Sequence, residues 1–233
     1  AAEGPGAAQR TLDAAARNAM LDNARAVAAR DERTAQAAQG IRALVDANAA
    51  ELQARHAGRA VDARAAAHLN QAAFVLAAYR AVQAHVRNPA ESRAMVLSML
   101  NAHEGINSTL IRGLSLAMDP VELSRDSLRN LVSDQGETFE GEFEDYDEGK
   151  DGDAVLTVRR CFYKDFFETE GEPALTSIFC ALEAAPFEAF ARDGRVAFAA
   201  PRTLAQGAES CQLRLSKVEG ARHPFLSWAS QGG

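Results

Sequence analysis

Three cysteines and one glutamate carry most of the chemistry this chain can offer: Cys161, Cys180, Glu183 and Cys211. Cys161 follows the β-branched run "AVLTVRR" and precedes "FYKDFFETE", so it stands where a strand hands over to a helix. A thiol at a helix N-terminus feels the positive end of the peptide dipoles, which lowers its pKa and favours the nucleophilic thiolate. Cys180 and Glu183 are three residues apart on one expected helix and so share a face. Cys211 falls on an expected strand. Eighteen residues lie between the first two cysteines and thirty between the second and third, which matches no standard zinc spacing. No metal site and no cofactor are expected. Taken singly, each thiol also reads as a small buried hydrophobe, because free cysteine is among the most buried residue types.

Arg160 and Arg202 stand near the same segments and carry the planar fork that grips a carboxylate with two hydrogen bonds. Arg159 and Arg160 read equally well as exposed strand residues. The histidines His56, His68, His85, His103 and His223 form no i,i+4 pair and no metal motif, and none is given a role.

The elements that must position these groups fall in two stretches. Alanine, arginine, glutamine and leucine dominate from Gln9 to Gln39, which predicts a helix, with a break at Gly40 and a second helix from Ile41 to about Ala57. These helices hold too few large apolar residues to be stable alone. They form a long hairpin lying on the rest of the chain or, in a second reading, a docking arm over residues 9–57 for a protein partner or a second copy. A third helix covers Asp62–Val86, with Leu69, Phe74, Leu76 and Tyr79 as its apolar residues. "NPAESRAMVLSML" begins a fourth, with Asn88 as N-cap and Pro89 in the first turn. Ile106–Met118 and Val121–Val132 continue helical.

At Asp134 the character changes. "DQGETFEGEFEDYDEGKDGD" holds ten acids and one lysine, but Phe139, Phe143 and Tyr146 interleave with the acids. A hairpin follows from this: one strand near Glu137–Tyr146, a turn, and a second strand at Ala154–Arg160. Two more strands are expected at Arg195–Ala200 and Ser210–Ser216. Helices at Tyr163–Glu170 and Pro173–Phe190 lie between the pairs, and Pro186 should kink or end the second. The fold class is therefore α+β: an N-terminal helical region, then a roughly four-stranded antiparallel sheet with packed helices. The boundaries drawn are a helical arm over 1–60, an α+β domain over 61–217 and an irregular tail over 218–233.

Charge narrows the partners. Residues 1–133 carry 15 Lys+Arg against 13 Asp+Glu, and residues 134–233 carry 10 against 19, so the second half holds a net −9. Such a surface repels phosphate backbones, and nucleic-acid binding is not expected. The greasiest run, Ala72–Ala78, is interrupted at Arg80, so no transmembrane segment is expected. Three widely spaced cysteines are no disulfide framework and point to a reducing intracellular compartment. The opening at Ala1 rather than methionine suggests removal of an upstream segment, as an organellar (plastid or mitochondrial) transit peptide or by trimming.

Three segments together resemble the L-2-amino-thiazoline-4-carboxylic acid hydrolase family: "LNQAAFVLAAYRAVQAHVRNPAESRAMVLSML", "VRRCFYKDFFETEGEPALTSIFCALEAAPFEAF" and "RTLAQGAESCQLRL". The resemblance runs over about Asp62–Lys217 and rests on Tyr79, Cys161, Gly171, Cys180, Thr203, Leu204, Gly207 and Cys211. One departure stands out: the family pattern has Asp three residues after the second cysteine, where this chain has Glu183. The resemblance implies a small-molecule substrate and hydrolytic opening of a cyclic amidine, a thiazoline carboxylate, to an S-carbamoyl cysteine. It implies Cys161 or Cys180 as nucleophile or water-positioning group, Glu183 as acid or base, Cys211 in the same site, and Arg160 or Arg202 on the substrate carboxylate. A non-catalytic subunit on the same fold, docked into a larger complex through its N-terminal helices, is the second reading.

Overall fold

The computed structural model describes residues 32–100, 119–133, 136–145, 153–192 and 194–218. Within these the fold is α+β, with helices first and then a four-stranded antiparallel sheet. The expected helices at residues 9–31 and Ile106–Met118, most of the acidic turn and nearly all of the C-terminal tail lie outside the described residues. The chain divides into two compact units, one of Ala1–Ile106 with Phe162–Phe179 and one of Asn107–Cys161 with Cys180–Gly233.

The first unit is helical. Helix α1 (Glu32–Arg55) buries Val45, Ala49 and Leu52, an i,i+4,i+7 stripe. It runs through Gly40, where the sequence suggested a break. An interior glycine costs about 1 kcal/mol against alanine, which strong helix formers on both sides outweigh. Helix α2 (Ala63–Gln83) is capped by Asp62, whose side chain accepts from the Ala65 N–H at 2.6 Å. Ala72 through Tyr79 are all buried, so this helix is apolar on every side rather than amphipathic. Helix α3 spans 89–100, and Asn88 Oδ1 accepts from Ala90 N at 3.0 Å, as the expected N-cap requires.

A later segment completes this unit. Helix α4 (Pro120–Ser133) belongs to the second unit, and the next helix, α5 (Phe162–Thr169), to the first. Helix α5 buries Phe162, Tyr163, Phe166 and Phe167. Tyr163 stacks on Phe179 with ring centroids 3.7 Å apart, and its hydroxyl donates to Gln71 Oε1 at 2.7 Å. The chain leaves α5 through Gly171, whose φ of +76° suits a residue without Cβ.

Glu170 ties three helices of this unit together. Its side chain is only 7% exposed and meets His56 Nε2 at 2.7 Å, Arg80 at 3.0 Å and Arg55 at 3.1 Å. Burial alone would raise its pKa, but the hydrogen bonds of His56 and Arg80 and the charges of Arg80 and Arg55 outweigh burial and lower it.

The second unit is built on the sheet: β1 (Glu140–Glu144), β2 (Ala154–Arg160), β3 (Val196–Arg202) and β4 (Cys211–Lys217), in the order β1-β2-β4-β3 with every pair antiparallel. Helix α6 (Thr176–Ala191) begins in the first unit and continues in the second from Cys180. Its Phe187 and Phe190 join Leu128 of α4, Ala154 and Leu156 of β2, Val196 of β3 and Leu213 and Leu215 of β4 in one apolar core. Pro186 sits inside α6 without ending it. The missing N–H removes one hydrogen bond, and the turns that follow are held by the burial of Phe187 and Phe190.

One helical stretch among the described residues, Pro173–Ala191, is long and apolar enough to cross a membrane by length and composition. A core helix passes the same test, and Phe187 and Phe190 of this one face the sheet.

The Glu170 cluster sets a stability test. A depressed carboxylate pKa gives stabilisation present above the unfolded-chain value near 4.3 and lost as pH falls through the folded value. Glu170→Gln should cost about 2 kcal/mol at pH 7, with partly exposed arginines limiting the loss. In thermal melts the gap to wild type should close below about pH 4.

Candidate functional site

Alternation along β4 decides which face each residue takes. Leu213 and Leu215 point into the core, so Cys211 shares their face while Gln212, Arg214 and Ser216 take the other. On α6 the core stripe of Phe187 and Phe190 extends back through Glu183 and Cys180, at spacings of three and four. Cys180, Glu183 and Cys211 therefore meet at one end of an otherwise apolar layer, where the Glu183 charge acts on both thiols and Cys211 acts on Cys180.

The consequences differ by group. Glu183 is half-buried at its surface, and burial among the surrounding protein atoms raises its pKa to about 7. Burial is the one cause of that shift, and no hydrogen bond or ion pair joins the carboxyl to another described residue. Burial, then the Glu183 charge and then Cys211, push the Cys180 thiol up to about 12. Cys211 is also raised, chiefly by burial, although a hydrogen bond from the Leu204 N–H to its sulfur, 3.2 Å long, works the other way. Both are thiols, not thiolates, at neutral pH, so neither has the activated form that a helix-terminal nucleophile would show.

The Leu204 hydrogen bond comes from the segment "TLAQG". Thr203 is extended, Leu204–Gln206 make one tight turn, and Gly207 ends it at φ +84°, a value that favours glycine. Leu204 is buried, and its N–H anchors the turn on Cys211 at the start of β4. The resemblance singled out this segment, but a backbone N–H to a sulfur leaves no mark in residue types.

Cys161 is buried directly between β2 and α5, at the strand-to-helix handover expected of it. The pairing of Val158 with Cys211 brings the end of β2, and with it Cys161, to the same end of the sheet as Cys211. The groups that perturb Cys180 and Cys211 do not include Cys161.

Arg160 and Arg202 reach that end of the sheet but not the face of Cys211. Arg202 pairs with Gln212, because β3 carries one extra residue between Ala199 and Arg202. Directly paired residues share a face, so Arg202 lies on the side away from Cys211. Without the extra residue it would stand opposite the thiol. Arg160 is displaced the same way. Arg159 is the extra residue in β2, which leaves Arg160 opposite Glu140. Phe143 packs on the core and Glu140 does not share its face. The Arg160 guanidinium donates to the Glu137 carbonyl at 2.6 Å, and Arg159 pairs with Glu142 at 2.9 Å. Tyr79 is buried in the first unit and accepts a hydrogen bond from Gln83 at 3.0 Å. Among the described residues no group of three His, Cys, Asp or Glu side chains is arranged to hold a metal ion.

A family model described as L-2-amino-thiazoline-4-carboxylic acid hydrolase matches residues 66–215. No curated protein and no solved structure matches the chain.

A carboxyl with its pKa raised by burial destabilises the fold as it ionises. The favourable protonated state is fully present below about pH 4.3 and is lost as pH rises toward 7. Glu183→Gln should therefore melt several degrees higher than wild type at pH 8, an advantage that shrinks toward zero near pH 4. Iodoacetamide at pH 7 should alkylate Cys180 and Cys211 at least about 100-fold more slowly in the native than in the denatured protein, read by peptide mapping.

Proposed function

Because the chain belongs to the L-2-amino-thiazoline-4-carboxylic acid hydrolase family, we propose that it opens a 2-aminothiazoline ring by adding water at the amidine carbon. The observation that supports this most is Glu183: a carboxyl with no partner among the described residues, near two neutral thiols and with its pKa raised to about 7 by burial. A group with a pKa of about 7 is both a competent base and a competent acid at working pH.

In the proposed step the water oxygen bonds to the amidine carbon, and the C=N electron pair moves onto the ring nitrogen. Glu183 takes a proton from the water and passes it to that nitrogen. The tetrahedral adduct then collapses: its hydroxyl becomes the carbonyl, the bond from carbon to ring nitrogen breaks, and the hydroxyl proton follows to the departing amine. Both protons of the water finish on the former ring nitrogen, the sulfur keeps its carbon, and the product is an S-carbamoyl thiol. Cys180, held as a thiol, positions the water rather than attacking. Cys211 frames the same site. Cys161 is the sulfur that would add first in a covalent version of this step. A carboxylate misplaced by about an ångström can cost ~100-fold, so Glu183, one methylene longer than the family's Asp, tests how far this chain keeps the activity.

Turnover of a panel of 2-aminothiazoline carboxylates, followed by release of the S-carbamoyl product, checks the proposal. Wild type should turn over, and Glu183→Gln should lose about 100-fold or more in kcat/KM. The wild-type kcat/KM should rise through about pH 7 as the carboxylate forms, and the variant should lack that limb. Cys161→Ala should abolish turnover if the route is covalent and spare it if water attacks directly. No turnover by wild type would overturn the reading.

A further inference from the structure

We infer that the open face of the sheet docks a second copy of this chain, the two sheets packing face to face about a two-fold axis that runs along the strands. The inference is independent of the ring-opening reading and rests on strand register, exposure and charge.

The described helices of this unit, α4 and α6, lie on one side of the sheet, where Leu128, Phe187 and Phe190 meet Leu156, Leu213 and Leu215. Alternation sends the intervening residues to the other side. The ladder pairs set them in rows from β1 across to β3. One row reads Glu144, Val155, Arg214, Ala199, and the next reads Glu142, Thr157, Gln212, Arg202. Glu142, Glu144, Arg214, Ala199 and Arg202 are exposed, and Val155, Thr157 and Gln212 are half-buried. Acids therefore line the β1 edge of this face, and arginines stand on β4 and β3. The extra residue in β3 that takes Arg202 away from Cys211 is what brings it into this pattern.

Such a face complements itself. A two-fold axis parallel to the strands, midway between β2 and β4, carries β1 of one copy over β3 of the other. Glu142 then faces the second copy's Arg202, and Glu144 lies diagonal to its Arg214. The same contacts recur on the other side of the axis. An axis across the strands would instead stack β1 on β1 and set glutamates against glutamates. Face-to-face sheets lie about 10 Å apart, a gap that a glutamate and an arginine span when they reach in from opposite sides. Within one chain these charges are lightly used. Glu142 meets Arg159 and Arg214 meets Asp153 in solvent-exposed ion pairs, which contribute little. Glu144 and Arg202 have no ion-pair partner among the described residues. Four strands about 4.8 Å apart and about 20 Å long give a patch on the order of 400 Å² in plan, the size of a weak, reversible contact.

Sedimentation equilibrium of the full chain tests this. Wild type should dimerise with a Kd on the order of 10–100 µM at about 50 mM salt, weakening at least about 10-fold at about 500 mM. Arg202→Glu and Glu142→Arg each place like charges at both symmetric contacts and should raise that Kd at least about 30-fold. Because both positions are exposed, the two variants should melt within about 3 °C of wild type. An equimolar mixture of the two restores opposite charges at both contacts and should form a heterodimer within about 3-fold of wild-type strength. A wild type that stays monomeric up to about 1 mM would overturn the inference. A wild-type dimer that neither substitution weakens would overturn it too, by placing self-association on another surface. Failure of the mixed variants to pair would also count against it decisively.

Discussion

One constraint organises the second unit: a carboxyl is held in the layer where α6 lies on the sheet, with nothing among the described residues to neutralise it. The stripe Cys180, Glu183, Phe187, Phe190 begins with two functional groups and ends with two phenylalanines. Phe187 and Phe190 fix the helix on Leu156, Leu213 and Leu215, and that packing carries Glu183 into protein whether or not the carboxyl gains by it. An ionised carboxylate there is disfavoured by desolvation, and the pKa near 7 follows. The contrast with Glu170 is instructive. That glutamate is also buried, but it meets His56, Arg80 and Arg55 and its pKa goes down. One acid is satisfied and holds helices together; the other has no partner among the described residues.

The sheet contributes by geometry as much as by packing. Its two irregularities, in β2 near Arg159 and in β3 between Ala199 and Arg202, turn Arg160 and Arg202 to the opposite face from Cys211. The turn Leu204–Gln206 is then fastened to the same strand by the Leu204 N–H on the Cys211 sulfur. Cys211 is thus a residue of the core face, a hydrogen-bond acceptor and a neighbour of Glu183 at once. Its sulfur needs no ionisation for any of these.

Much of this was legible in the residues. Strand β2 follows from "AVLTVRR", the cap at Asn88 from its side chain, and the α+β class from the order of helix and strand patterns. The sharing of a face by Cys180 and Glu183 follows from their spacing alone. Other features were not legible, for physical reasons. Gly40 and Pro186 are local breakers that longer-range helix propensity and core burial override. The face of an arginine near a strand end depends on register, and one extra residue reverses it without changing composition. A thiol's pKa depends on what surrounds it in space, so Cys180, half-buried and near a carboxylate, is raised where a thiol at a helix start would be lowered.

Glu183 stays protonated through the acidic range and ionises near neutrality because burial disfavours its charge and no described residue pairs with it. Its titration is directly visible by infrared difference spectroscopy with carboxyl-labelled glutamate, using Glu183→Gln to assign the protonated C=O band. That band should persist to about pH 7 in wild type and be missing from the variant. Loss of every glutamic acid C=O band by about pH 5, near the ordinary glutamate value, would show that the carboxyl is solvated or paired and would contradict the account.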